Sequence, residues 1–372
     1  MQKLGFGTMR LPLTDETNQK SIDMKAYCEM VDSFMENGFS YFDTAYMYHE
    51  YESENALREA VVRRYPREAF TVASKLPLSL LQRSGDNERI FEEQLKKCGI
   101  SHFDYYMLHN INSVNYKTAQ KFNCFEYISE LKASGKVRSI GFSYHDNSVL
   151  LDEVLTSHPE VDFVQLQLNY LDWDNSGIQS KECYKTAQKH NKKVIVMEPV
   201  KGGTLADIPA DALETLRKVR PEMSAASWAI RFAASLDGVM CVLSGMSDMK
   251  QMLDNVSFMR DFAPLCGEEY SALKRAVGSI AEARIVPCTA CRYCVEGCPK
   301  KIAIPEYFAL YNAEKESINK GFSTQGVYYA NLALSHGKAS ECVSCRLCEK
   351  ACPQHIEISR FMRDVAATFE KQ

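Results

Sequence analysis

Short apolar runs rich in β-branched and aromatic residues recur through the first two-thirds of the chain, separated by stretches of helical period. Eight runs read as strands: residues 4–7, 41–43, 70–76, 103–109, 137–143, 163–169, 193–199 and 238–244. Amphipathic patterns at 24–37, 54–64, 88–98, 125–134, 148–157, 180–190 and 249–259 read as the intervening helices. Strands that alternate with helices join through right-handed crossovers into a parallel sheet, and eight such units close most economically into a (β/α)8 TIM barrel. The rival is an open doubly wound sheet. Gly5-Phe6-Gly7 lacks the third glycine and following helix of a dinucleotide fingerprint, and polar residues gather at the strands' C-terminal ends, so the pattern predicts an α/β barrel.

This rhythm stops between Ile280 and Pro287, and cysteine clusters separated by helix-like segments follow. With 372 residues, more than one compact core usually takes, the expected division is a barrel over 1–280 and a smaller, mainly α-helical ferredoxin-like domain over 281–372. A net charge of -4 gives no reason to expect nucleic acid. MQKLGFGTMR lacks the apolar run of a signal peptide, and no stretch approaches a membrane span, so a cytoplasmic protein without a membrane partner is expected. In that compartment fourteen cysteines point to metal or redox chemistry rather than disulfides.

The tail contains a repeat. Cys288, Cys291, Cys294, Cys298 and Pro299 recur as Cys342, Cys345, Cys348, Cys352 and Pro353, and Ile302 and Ile304 recur as Ile356 and Ile358. The spacing C-x2-C-x2-C-x3-C-P is the bacterial ferredoxin pattern, in which three cysteines wrap one 4Fe-4S cube and the fourth ligates the other. It predicts two 4Fe-4S clusters, one on Cys288, Cys291, Cys294 and Cys352, the other on Cys342, Cys345, Cys348 and Cys298. Paired structural zinc sites are the alternative, but a tetrahedral ion has little use for three cysteines within seven residues. The segment between the runs reads as helical at 305–315 and 325–335, resembling the helical type of two-cluster module. Cys28, Cys98, Cys124, Cys183, Cys241 and Cys266 are scattered and read as free thiols.

Active sites of parallel barrels lie at strand C-terminal ends. There stand Asp43 with Tyr48, Lys75 and His109, and together they match the Asp, Tyr, Lys and His of the aldo-keto reductase family. The chain resembles that family from Leu4 through Asn255, and the tail resembles the ferredoxin-like extension of a subset of it. The resemblance implies reversible hydride transfer between NADP(H) or NAD(H) and a small carbonyl or alcohol substrate. Tyr48 would supply the proton, Lys75 would ease its loss, Asp43 would hold Lys75, and His109 would orient the carbonyl. Each residue also has a plain structural account, as helix cap, surface lysine or core histidine; their joint placement favours chemistry.

The resemblance further implies cofactor contacts at Gly7, Thr8, Met9, Ser143, Gln165, Glu198, Val200, Gly202, Gly203, Leu205, Gly245, Gln251 and Asn255. Three departures stand out: Tyr144 where the family often has Asn, Glu198 or Met197 where many members place a stacking aromatic ring, and Gly245 and Gln251 in place of cations that grip a 2′-phosphate. The last leaves NAD against NADP open. Tyr170 and Trp173, after the sixth strand, are expected to line the substrate pocket or to stand as loop aromatics. Hydride moves electrons in pairs and a 4Fe-4S cluster moves them singly, so a mediator is needed wherever the two exchange. No flavin fingerprint is present, though a barrel can hold flavin without one. Three readings follow: a nicotinamide-dependent reductase with clusters for structure or electron transfer, a redox enzyme fed by an electron-carrier protein, and a redox-sensing ligand-binding module.

Overall fold

The structure, a computed structural model, describes residues 2–282, 285–288, 290–317 and 323–370. Eight parallel strands close into a barrel in sequence order: β1 (Leu4–Gly7), β2 (Tyr41–Asp43), β3 (Thr71–Pro77), β4 (Phe103–Ile111), β5 (Val137–Tyr144), β6 (Phe163–Gln167), β7 (Lys193–Met197) and β8 (Val239–Ser244). Side chains alternate across each strand. Tyr41, Ala73, Met107, Phe163, Ile195 and Cys241 fill the barrel's interior, while Phe42, Val72, Tyr106, Leu108, Val164 and Val242 pack outward under the helices. The same period of two turns Asp43, Lys75, Ser143 and Gln165, each two residues beyond an interior position, toward the axis at the C-terminal end.

Close approach makes one glycine necessary. At Gly141 on β5 a Cβ would stand 2.3 Å from the Phe163 carbonyl oxygen, so only a bare backbone permits the register that pairs Gly141 with Phe163.

Several elements depart from the expected pattern. β6 stops at Gln167 because the Asn169 side chain caps a turn, accepting from the Leu171 and Asp172 amides at 3.1 and 2.8 Å. β7 stops at Met197, where Glu198 turns left-handed with φ 55°. The expected helix over 54–64 is α-helical only at Ser53–Leu57 and then widens into a π turn, Arg58–Val62. The helix Ala225–Ser235, absent from the expected pattern, is buried along nearly its whole length, its polar residues Ser227 and Arg231 included. Helices at Ala210–Arg217 and Gly267–Glu282 extend the barrel wall before the cysteine runs begin.

Beyond the barrel, helices Ile304–Glu316, Thr324–Leu332 and Ile358–Phe369 enclose a separate core that includes Tyr307, Phe308, Tyr329, Met362 and Val365. Among the described residues no helix is long and apolar enough to cross a membrane. This helical region sits on the mouth side of the barrel. Asn331 Nδ2 donates to the His145 carbonyl at 2.8 Å, and Lys201 reaches Glu316 at 3.1 Å.

Gly141→Ala should cost about 1–3 kcal/mol, because β5 and β6 must separate to admit the methyl group. Thermal unfolding beside the unaltered protein tests this; an unchanged Tm would mean that the β5–β6 register yields easily.

Candidate functional site

Asp43, Lys75, Tyr48 and His109 converge at the barrel mouth. Lys75 is buried at 1% exposure, and its ammonium donates to Asp43 Oδ1 at 2.5 Å and to the Thr44 carbonyl at 2.6 Å. The same nitrogen lies 4.9 Å from the centre of the Tyr48 ring. Across the mouth, Tyr48 meets the His109 ring edge to face at 6.1 Å. Tyr48 and His109 line one cavity of about 310 Å³ together with Asp43, Ser143 and Gln165. Its apolar wall comes from Met9, Met47, Pro77, Leu78, Met197 and Leu243.

Local backbone features aim these side chains. After Tyr48 the chain turns through three consecutive left-handed residues, His49, Glu50 and Tyr51, at φ 51°, 50° and 76°. The buried His49 ring holds that turn: Nε2 accepts from the Leu11 amide at 3.1 Å while Nδ1 faces the Gln19 carbonyl at 2.9 Å. On β4 the register shifts between Leu108 and Ile111, and Asn110 is left-handed, so His109 stands at a bulge.

Electrostatics follow from burial. Desolvation opposes the charge on Lys75, but the Asp43 carboxylate outweighs it and keeps the ammonium protonated. Burial raises the Tyr48 phenol above its ordinary value, and the Lys75 ammonium pulls it partly back. The ammonium is therefore the force that opposes desolvation and does not by itself make the phenol acidic. Burial, then Lys75 and His145, lower His109 to about 3, so its imidazole is neutral; its buried Nδ1 has no partner among the described residues.

A second layer supports this group, and periodicity alone does not reveal it. Glu54, fully buried, accepts from Ser74 Oγ and Gln94 Nε2, each at 2.7 Å, and Gln94 also donates to the Lys75 carbonyl at 3.1 Å. Glu54 begins the helix expected over 54–64 and carries no local sign of this role, because Ser74 and Gln94 reach it only through the fold. Arg10 and Glu198, paired at 2.9 Å, rim the same cavity.

The residues expected to hold a cofactor divide into groups. Gly7, Met9, Ser143, Gln165, Glu198 and Gly245 line the cavity. Thr8 is instead buried against the Asp43 carbonyl and Ser53, and Leu205 is fully buried in packing against which Val200 rests. Gly202 and Gly203 are left-handed at φ 63° and 105°, and Gly202 opens onto a polar hollow with Arg10, Glu198 and Lys201. Gln251 braces the turn before its own helix through Asp248 and the Ser247 amide, and Asn255 donates to Ser244 Oγ at 2.6 Å. Tyr144 points its hydroxyl at the Asn147 carbonyl, at 2.5 Å. Tyr170 and Trp173 do not line the mouth cavity; both pack edge-on against Phe232, at 6.2 and 5.5 Å, because the loop after β6 folds outward under the tail. Lys201, in the glycine loop, is buried and held by Asp172 at 2.8 Å as well as by Glu316.

The eight cysteines of the repeat gather into two hollows. One is walled by Cys288, Cys291, Cys294 and Cys352, the other by Cys298, Cys342, Cys345 and Cys348. Each therefore takes three cysteines from one run and the last of the other. The backbone repeats with the sequence: Ala290, Arg292 and Lys301 have φ 56°, 67° and 52°, and their counterparts Ser344, Arg346 and His355 have 54°, 59° and 51°. Left-handed residues in such loops turn amide groups inward, the concavity that suits the sulfides of an iron–sulfur cube. Ile304 and Ile358 belong to both hollows and form their common wall.

Residues 3–277 match the model of the aldo/keto reductase family. The chain belongs to the aldo/keto reductase family. Residues 287–357 match a 4Fe-4S dicluster domain, so this family member carries an iron–sulfur domain behind its barrel. Among relatives, an oxidoreductase of Schizosaccharomyces pombe is 24% identical over 267 residues, 69% of this chain and 81% of that protein. The oxidoreductase YqkF of Bacillus subtilis is 22% identical over 304 residues, 74% and 92% of the two chains. The barrel superposes on an aldo-keto reductase from Bacillus halodurans, holo form, with TM-score 0.59, 24% identity and coverage of 74% and 91%. An aldo/keto reductase from Klebsiella pneumoniae, solved with NADP and acetate, gives TM-score 0.59 at 19% identity over 73% and 90%.

The buried Lys201–Asp172 pair yields a prediction. Asp172→Ala strands an ammonium in the interior and should destabilise this reductase by about 3–5 kcal/mol, read from urea unfolding. Loss of less than about 1 kcal/mol would mean that Glu316 alone suffices.

Proposed function

We propose that this aldo/keto reductase interconverts a small carbonyl compound and its alcohol with a nicotinamide cofactor, Tyr48 exchanging the proton, while two 4Fe-4S clusters occupy the cysteine hollows. The observation that carries the first half is the Lys75 ammonium, paired with Asp43, beside the Tyr48 ring at the wall of the cavity that His109 shares. The natural division of labour is a barrel over 1–280 and a cluster domain over 281–372.

The cavity fits the cofactor's head. Ser143 and Gln165 offer side-chain hydroxyl and amide groups on one wall, and Gly7 and Gly245 leave the opposite rim low. When bound, the nicotinamide supplies or takes the hydride. His109, neutral and with its ring at the cavity, orients a substrate oxygen by hydrogen bonding. Tyr48 keeps its proton through neutral pH, because burial raises its pKa, and so holds the form required to protonate the oxygen as an alkoxide develops. Lys75 stabilises the phenolate left behind, and Asp43 keeps that ammonium in place where an unpaired charge would be costly. The apolar wall of methionines, proline and leucines excludes water and favours substrates with a hydrophobic body. Arg10 lies against Gly245, its Nη1 3.7 Å from where a Cβ would stand, so a guanidinium fills space near the missing cations. Glu198 already neutralises it, which supports neither NADP nor NAD over the other.

For the tail, the two hollows fit cubes by donor chemistry, four thiols each with left-handed loops between them. On this reading each run supplies its last cysteine to the other cluster. Their common wall, Ile304 and Ile358, favours a second role in which single electrons pass between clusters from a carrier protein.

Tyr48→Phe should lower carbonyl reduction by at least about a hundredfold while iron and sulfide contents stay unchanged; undiminished turnover overturns the assignment of the proton donor. Because His109 is neutral above about pH 3 and Tyr48 is protonated well past neutrality, kcat/KM for reduction should be flat from about pH 5 to about pH 8. An inflection near the ordinary imidazole value that vanishes in His109→Gln would show a charged ring instead. For the clusters, Cys352→Ser should remove the cluster of the first run and spare that of the second, halving iron and sulfide; loss confined to the second run's spectrum would refute the sharing.

A further inference from the structure

The mouth cavity holds a second histidine that the proposed reaction leaves unused. His145 follows the C-terminal end of β5 and lines the cavity together with His109, from β4 beside it. The two rings lie close enough for charge on His145 to oppose charge on His109. Burial lowers His145 to about 4, so its ring is neutral as well.

The two imidazoles share one feature. Each has its Nδ1 buried without a partner among the described residues, which leaves Nε2 as the nitrogen that can serve a ligand. A neutral ring carries a single hydrogen. An orphaned N–H inside a protein is rarer and costlier than an orphaned acceptor, which assigns the hydrogen of both rings to Nε2. The cavity then offers two N–H donors on neighbouring strands.

The tail fixes the second of them. The His145 amide donates to the Ile111 carbonyl at 3.0 Å, and its carbonyl accepts from Asn331 Nδ2 at 2.8 Å, so both main-chain groups are held. The Tyr328 ring meets the His145 ring edge to face, with centres 6.1 Å apart. Thr324, Tyr328 and Asn331 follow one another at about one turn and so share a face of the helix Thr324–Leu332. Thr324, at the start of that face, itself lines the cavity. One face of a tail helix is therefore part of the wall around the substrate and the support of His145.

The charges of the lining restrict what a second donor can meet. Arg10 is paired with Glu198 at 2.9 Å and Asp43 with Lys75 at 2.5 Å, and these account for the charged side chains around the cavity. Among the described residues the lining has no unpaired cation for a carboxylate or phosphate, and an anion buried without one is costly. A neutral oxygen is what the second N–H can accept.

We infer that His145 is a second substrate-binding residue, positioned by the tail, and that the substrate is an α-hydroxycarbonyl or α-dicarbonyl compound whose neutral second oxygen accepts from His145 Nε2. This rests on the reading of the barrel as a carbonyl reductase. A substrate with one oxygen satisfies His109 and strands the other N–H, and that loss is the source of discrimination.

The test uses the full chain with its clusters, purified anaerobically, and whichever nicotinamide supports turnover. Hydroxyacetone is compared with 2-butanone, and 3-hydroxy-2-butanone with 3-methyl-2-butanone, pairs in which a methyl group replaces the hydroxyl. His145→Phe keeps a ring against Tyr328 and removes the donor; His145→Gln restores an N–H at similar reach. The ratio of kcat/KM for hydroxyketone over ketone should fall about tenfold in His145→Phe and recover in His145→Gln. Asn331→Ala, which frees the His145 carbonyl, should lower the ratio in the same sense. A ratio equal in the unaltered protein and His145→Phe overturns the inference, and one unmoved by Asn331→Ala removes the tail from it. Saturation-transfer NMR on the cofactor-free protein reads binding without turnover, and hydroxyacetone should be preferred to 2-butanone only while residue 145 carries a donor. Should none of the four compounds be reduced, the reductase reading fails, and the NMR preference alone then upholds or overturns the role of His145.

Discussion

A lysine ammonium held inside a barrel is the constraint around which the rest is arranged. Burying an unpaired cation costs several kcal/mol, and the interior of β1–β8 otherwise offers side chains such as Ala73, Met107 and Ile195. Lys75 is tolerable there because Asp43, on the neighbouring strand, meets it at 2.5 Å and the Thr44 carbonyl takes a second hydrogen. That pairing is available only if β2 and β3 run parallel in the observed register and the period of two sends both residues inward. Sheet register and site chemistry are therefore one constraint: a slip of one residue in either strand would turn its member of the pair outward and part Asp43 from Lys75. The Glu54–Ser74–Gln94 network behind β3 resists such a slip by fixing the Lys75 carbonyl from the outer side.

Burial also decides how the charge acts. The Tyr48 phenol is pulled in two directions, upward by desolvation and downward by the ammonium, and desolvation prevails in the protein alone. Such a phenol keeps its proton. His109 meets the same environment from the other side, since desolvation and a nearby cation both disfavour its protonation, leaving a neutral ring. One low-dielectric pocket thus assigns opposite tasks to two groups that in water would titrate within a few units of each other.

The sequence makes some of this legible and hides the rest for physical reasons. Strands are readable because β-branched runs end in polar residues at the mouth, and that rule together with the family resemblance singles out Asp43, Lys75 and His109. The cysteine exchange between runs is readable because ligand spacing is local, and the same offset recurs in the left-handed residues Arg292 and Arg346. What escapes is anything made by tertiary proximity. Glu54 looks like a solvent-facing helix residue until Ser74 and Gln94 surround it. Tyr170 and Trp173 sit at the expected distance after β6, yet they pack on Phe232 of a barrel helix while Asn175 in the same loop meets Ala309 of the tail, contacts that pattern along a chain does not record. Helix Ala225–Ser235 goes unread although Ser227 and Arg231 stand one turn apart on one face, because both are buried and that face does not meet solvent.

The helix Ile304–Glu316 carries this argument to the relation between barrel and tail. Its first turn, Ile304 and Pro305, walls the first cysteine hollow, and its last residue, Glu316, pairs with Lys201 in the glycine loop of the barrel. Packed interiors do not deform continuously, so a rigid helix pinned at both ends transmits displacement at one to the other. Lys201 cannot leave Glu316 and Asp172 without stranding a buried charge, which ties the loop beside the mouth to the position of the helix. One helix therefore joins the wall of the first hollow to the glycine loop. The iron–sulfur region is in this sense a structural member of the barrel's mouth as well as a possessor of its own chemistry.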